Sequence, residues 1–193
     1  MSAFEIGVAL YQRVEELDFA GPYEVLTAWS RFSDRDIRVR TVAGSELVEC
    51  AHGLKVVADT TWDAVDRLDL LVLPGGDTRD LQSDTPFLTR MRELADAGTL
   101  MTSVCTGALV YAAAGLLAGK RATTHWGALE SLRGHDGVTV DEHARFVDEG
   151  SIVTAAGVSA GIDMALHLVA RLESDEMAKR VRRYIQYDPA PPI

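Results

Sequence analysis

Cysteine is scarce in this chain, which has only Cys50 and Cys105. Two are too few for a disulfide framework, and Cys50 has no second sulfur close in sequence to suggest a thiolate metal site. Basic residues are also scarce: 19 Lys and Arg stand against 29 Asp and Glu, a formal net charge of −10. A nucleic-acid backbone is bound by clustered cations, so that function class is set aside. The acidic residues are spread out, which reads as a solvated surface rather than a binding tail. No apolar run is long enough to cross a bilayer, and no secretory leader is recognisable. The expectation is a cytoplasmic protein with reduced thiols and neither a nucleic-acid nor a membrane partner. The histidines lack metal-ligand spacing among themselves, so no metal and no cofactor is expected. Repeats and low-complexity stretches are lacking too, apart from a Pro-rich end at 188–193.

What is present is a 193-residue chain, 47% hydrophobic, enough for one domain over 1–193 with a sizeable core. Strands are expected at 4–10, 37–43, 68–73, 100–104 and 151–155, with a hairpin over 47–58 and an interrupted strand over 138–147. Helices are expected at 22–32, 85–97, 108–118, 162–172 and 174–187, with a helical turn in 62–67. Pro22 suits a first helical position and Ser174 a cap. The scattered Met and Trp residues read as core or interface. Strands alternating with helices give a parallel sheet covered on both faces, with a site beyond the carboxyl ends of its strands.

The chain is organised around 99–119. A short buried strand runs into Cys105-Thr106-Gly107, and an Ala- and Leu-rich helix follows. A residue at such a strand-to-helix turn is held on a tight bend, as in nucleophile elbows. The following helix aims free N–H groups at the sulfur, which would lower the thiol pKa. Cys105 therefore reads as an activated thiolate, against the alternative of an inert buried cysteine. Gly75-Gly76, after the strand at 68–73, could bring unobstructed N–H groups to a ligand, or form a plain turn. Asp18, in the loop leaving the first strand, is a candidate acid or base, or a solvated carboxylate. Thr106 could bind substrate or water, or cap the helix.

The stretches Glu16-Leu17-Asp18-Phe19-Ala20-Gly21-Pro22, Leu73-Pro74-Gly75-Gly76, Ser103-Val104-Cys105-Thr106-Gly107 and Gly119-Lys120-Arg121-Ala122-Thr123-Thr124-His125-Trp126 together resemble the ThiJ/PfpI superfamily, a class I glutamine amidotransferase-like group. Within it the chain looks most like the isocyanide (isonitrile) hydratases; Gly157-Val158-Ser159-Ala160-Gly161-Ile162-Asp163 and the closing Tyr187–Pro192 stretch fit as well. The resemblance implies a flavodoxin-like three-layer α/β sandwich and a homodimer. It implies Cys105 as nucleophile, Asp18 as acid/base, and Thr106 supporting the acid or the substrate. The N–H groups of Gly76 and Thr106 would form an anion pocket, and Val158 would pack near the cysteine helix. The implied reaction adds water to a small-molecule isocyanide through a Cys105 thioimidate, giving an N-substituted formamide.

Peptidase relatives carry His directly after the cysteine; here Thr106 stands there, so peptidase activity is discounted. His125 is expected in a supporting role, though a glutaminase-like arrangement with Asp163 as orienter stays open. The main rival is a non-catalytic small-molecule sensor, or a redox-responsive cysteine protein, related to the N-terminal domain of AraC-type regulators. The sequence ends at Ile193, which leaves no room for their DNA-binding region. A glyoxalase-like activity ranks below both.

Overall fold

Continuous apolar runs become buried strands in the computed structural model, which describes residues 3–188. In chain order the elements are β1 (Phe4–Leu10), α1 (Glu16–Phe32), β2 (Ile37–Ala43), β3 (Leu47–Glu49), β4 (Lys55–Val57), β5 (Thr60–Thr61), β6 (Leu70–Leu73), α2 (Thr85–Asp96), β7 (Leu100–Val104), α3 (Gly107–Ala113), β8 (Arg121–Ala122), α4 (Leu129–Arg133), β9 (Thr139–Val140), β10 (Phe146–Asp148), β11 (Ile152–Ala155), α5 (Ala160–Leu172) and α6 (Asp175–Tyr184).

The main sheet runs β10-β11-β7-β6-β1-β2-β5. Every pairing in it is parallel except β10 with β11. β6 and β7 are buried at every position, as central parallel strands covered on both faces must be. Leu26 and Trp29 of α1, Met164 and Leu168 of α5 and Val181 of α6 pack on one face around Val8, Leu70 and Val153. On the other face Met91 of α2, Tyr111 of α3 and Leu132 of α4 cover Leu71 and Met101. The result is the expected three-layer α/β sandwich.

Register sets the site. Leu73 pairs with Ser103, and Val104 pairs with Ala155. Gly75-Gly76, Cys105 and Gly157-Val158 therefore leave adjacent strands at the same sheet edge.

Several boundaries differ from expectation. Helix α1 begins at Glu16, with Pro22 inside it rather than at its start. Proline there forfeits one helical hydrogen bond. Its ring is buried beside Gly161 of α5, so packing of α1 on α5 outweighs that loss. Asp18 consequently sits in the first helical turn, not in a loop. Helix α3 stops at Ala113 because the chain turns at Gly115, which has φ +76. Helix α6 ends at Tyr184, short of 187, and Ser174 caps it by accepting from Met177 N at 3.1 Å. The interrupted strand is two separate strands, β9 and β10. Strands β5 and β8 and helix α4 were not expected. Of the tryptophans, Trp29 is core, but Trp126 is 80% exposed in this chain. The end beyond 188 lies outside the described residues. Among those residues, no helix is long and apolar enough to cross a membrane.

Candidate active site

Cys105 occupies the turn between β7 and α3 with φ +56, a left-handed conformation that costs a non-glycine residue about 1–3 kcal/mol. Its surroundings enforce it. The Cys105 N–H donates to the Ala155 and Ala156 carbonyls at 3.1 and 2.9 Å, and its carbonyl accepts from the Thr124 hydroxyl at 2.6 Å. Gly107 has to lack a side chain, because a Cβ there would strike the Leu73 carbonyl. The sulfur accepts the backbone N–H groups of Thr106 and Val158. Val158 is itself left-handed, φ +40, so the second donor also comes from a constrained backbone.

Asp18 reaches the same place from α1. It is fully buried, and its Oδ2 accepts the Gly75 N–H at 2.9 Å. Oδ1 has no hydrogen-bond partner among the described residues. Burial, with a smaller push from the Glu15 charge, raises the carboxyl to about 7, against the Gly75 N–H and the Cys105 thiol, which favour its ionised form. Burial and the Asp18 charge push the Cys105 thiol up to about 12, opposed by the Thr106 and Val158 amides.

This corrects the expected low-pKa thiolate. Cys105 is only 8% exposed, α3 is just seven residues long, and the Asp18 carboxylate acts on the sulfur. One proton shared between Asp18 and Cys105 rests mainly on the sulfur beside an ionised Asp18, and moving it to Asp18 removes the repulsion while leaving the two amides on the sulfur.

The remaining predicted residues converge here in altered roles. A Cβ on Gly75 would lie 2.6 Å from Thr106 N and 2.7 Å from Asp18 Oδ2, so only glycine admits both. The Gly76 N–H is not free to hold an anion. It donates to Thr106 Oγ1 at 3.0 Å, and that hydroxyl donates to the Gly76 carbonyl at 2.9 Å. Thr106 thus ties the glycine turn to the elbow, and the N–H pair around the sulfur is Thr106 with Val158. His125 does not pair with Asp163. Its Nδ1 accepts from Gly127 N at 3.1 Å, while Asp163 is held by Arg145 and by the Tyr187 hydroxyl at 3.0 Å. The glutaminase-like arrangement is therefore not formed.

Two contributors escaped the sequence reading. Tyr11 donates to the Pro74 carbonyl at 3.0 Å and so braces the glycine turn. Burial, then Asp18 and Cys105, hold its hydroxyl well above the ordinary range, so it stays protonated. Its only sequence signal is its place as the first residue past β1. Thr124 is the other; its signal was the Thr-Thr-His-Trp run itself.

Ligand atoms of Glu15, Glu16 and His52 lie within 4.8 Å of one another, a juxtaposition that histidine spacing did not suggest. The cluster is at the surface, and His52 Nδ1 is already 2.8 Å from Glu16 Oε2. A cavity of about 930 Å³ lies between Trp62, Phe87 and Arg90 and has neither Cys105 nor Asp18 in its wall. A smaller cleft of about 330 Å³ also lacks Cys105 and Asp18 in its wall, but it is lined by Thr124 and Val158, which contact the elbow, and by Gly157.

Known proteins resemble this chain in sequence and fold. Isonitrile hydratase of Pseudomonas putida is 38% identical over 193 residues, covering 99% of this chain and 82% of the relative. The helix-turn-helix transcriptional regulator GlxA of Rhizobium meliloti is 30% identical over 91% of this chain, which spans 55% of that protein. Among solved structures, a ThiJ/PfpI family protein from Pseudomonas syringae superposes with a TM-score of 0.89 at 32% identity, covering all of this chain and 78% of that one. Drosophila melanogaster DJ-1beta shares the fold, with a TM-score of 0.85 over 97% of this chain and all of that one at 23% identity. The DJ-1/PfpI family profile matches residues 5–171, from β1 through the cysteine elbow into α5. By fold, elbow and sequence alike, the chain belongs to the DJ-1/PfpI family.

Proposed function

We propose that the protein is an isocyanide hydratase, with Cys105 as nucleophile and Asp18 as the single acid and base. The observation that carries this reading is the buried Asp18 carboxyl, held by the Gly75 N–H beside Cys105 on its left-handed elbow. The similarity to isonitrile hydratase supports it.

An isocyanide carbon carries a lone pair and becomes electrophilic as it takes up a proton. Asp18 receives the thiol proton and passes it to that carbon as the sulfur bonds there, giving the thioimidate R–N=CH–S–Cys105. Asp18, ionised again, draws a proton from water as the oxygen adds to the carbon and hands that proton to the nitrogen. Collapse to the carbonyl breaks the C–S bond. The sulfur regains a proton through Asp18, and R–NH–CHO leaves. A carboxyl near 7 suits both directions of transfer at neutral pH.

The described residues form one domain on this reading, and the setting is cytoplasmic. The surface offered to a second copy includes Leu47, Leu54 and Val57 of the hairpin and Leu17 of α1, all exposed; the His52–Glu16 bond ties the two elements together.

The test is formamide formation from an aryl and an alkyl isocyanide. The wild type should form it and Cys105→Ser should not. A folded, reduced wild type that turns over neither compound sinks the reading. The rival, a non-catalytic sensor, draws on the likeness to GlxA and to an AraC family regulator of Pseudomonas putida, TM-score 0.84 at 23% identity. The raised thiol counts against a low-pKa redox sensor.

A further inference from the structure

Trp126 is 80% exposed on a short turn two residues after Thr124, whose hydroxyl binds the Cys105 carbonyl, an unusual placement for so large an apolar side chain. Together with His125 it walls the 330 Å³ cleft that Thr124 and Val158 also line. We propose that this cleft holds the substituent of the substrate and selects a flat, uncharged aryl group. The proposal rests on the hydratase reading and names the substrate class of that same site.

Position supports it first. The Val158 N–H binds the sulfur and the Thr124 hydroxyl fixes the Cys105 carbonyl, and both residues line the cleft. The C–N≡C unit of an isocyanide is linear. Its substituent therefore projects straight away from the attacked carbon, and recognition has to occur just beyond the sulfur.

The shape of the wall points to a flat group. The His125 and Trp126 rings lie 5.1 Å apart, tilted by 39°. His125 is fixed by its Gly127 bond, which leaves the proton of its neutral form on Nε2. The ring is seated against Gly157, where any Cβ would collide with His125 Cδ2. The His125 side of the aromatic wall is thus set before any ligand enters.

Charge is the third argument. The cleft has one acidic and one basic residue in its lining, and each is already engaged. Glu142 meets Arg133 at 2.5 Å, and Arg145 Nε meets Asp163 Oδ2 at 2.9 Å. Each charge is thus already balanced within the protein, which leaves little net charge in the cleft for a charged substituent to meet.

The test compares phenyl and n-butyl isocyanide on the wild type, Trp126→Ala and Trp126→Phe. Aromatic contact of this kind corresponds to roughly fivefold to tenfold in affinity. Trp126→Ala should raise KM for the phenyl compound by that factor, with kcat within about twofold and the butyl compound within about twofold; Trp126→Phe should recover most of the loss. Equal effects on both isocyanides, or none on either, would overturn the proposal. So would a Trp126→Ala protein that loses only its oligomeric state, since the indole would then face a second copy.

A binding arm separates this proposal from the reaction. N-phenylformamide is titrated onto the wild type and Trp126→Ala. Weaker binding to the variant by a similar factor, without isocyanide turnover in the wild type, keeps the aryl cleft and removes the hydratase reading. Turnover with formamide binding unchanged by Trp126→Ala removes the cleft and keeps the reaction.

Discussion

At the scale of single residues, the side chain that matters most is also the least comfortable. Asp18 is fully buried and its carboxyl is raised from 3.8 to about 7. The folded protein therefore holds that proton more tightly than the unfolded chain does. Stability from this group is present in full below pH ~4 and is lost as pH rises through about 7. Asparagine keeps an acceptor for the Gly75 N–H and has no charge to bury. Asp18→Asn should thus stabilise the protein by about 2–4 kcal/mol at pH 8.5, with a much smaller gain at pH 5, while abolishing turnover. Urea unfolding at the two pH values checks this; destabilisation at pH 8.5 would contradict it. The identity of Asp18 was visible in the sequence through its motif. Its burial was not, because it depends on α1 starting at Glu16 and leaning on the Gly75 turn from a distant strand. The thiol was misjudged for a related reason. Elbow geometry is local and readable, but desolvation and a facing carboxylate come from elsewhere in the fold.

At the scale of elements, the central strands were readable because parallel strands buried on both faces are apolar throughout; β1 and β7 fall where expected. Helix α1 was misread at its start because proline within a helix depends on packing that local rules omit. Short edge pieces such as β5 and β8 have two residues each and no periodicity to detect. The elbow joins three elements, and Thr124 is its outer clasp. Removing its hydroxyl leaves the Cys105 carbonyl with only the long 3.4 Å contact from Ala108 N. Thr124→Val should cost about 1–3 kcal/mol in urea unfolding and lower kcat/KM, because the strained turn loses a restraint. A loss below about 0.5 kcal/mol would show that the turn is held without it.

At the scale of the whole molecule, one sheet edge gathers Asp18 from α1, Gly75 and Gly76 after β6, Cys105 after β7 and Val158 after β11. Topology made that convergence predictable from strand order alone. Which amide serves which acceptor was not predictable, since it turns on hydroxyl and backbone geometry; Gly76 proved to be held by Thr106 rather than free. The same scaffold occurs in a hydratase relative and in regulators, so the fold does not choose between turnover and sensing. The proposed hydratase reading rests instead on the Asp18–Cys105 pair. The measurement that tests it most directly is kcat/KM for isocyanide hydration from pH 5 to 9.5, which reports the ionisations of the free enzyme. The active pair holds one proton, so kcat/KM should rise through an apparent pKa near the Asp18 value of about 7 and then stay level to the alkaline end. A profile that is flat, or that falls as pH rises through 7, would contradict the shared proton and with it the assigned roles of Asp18 and Cys105.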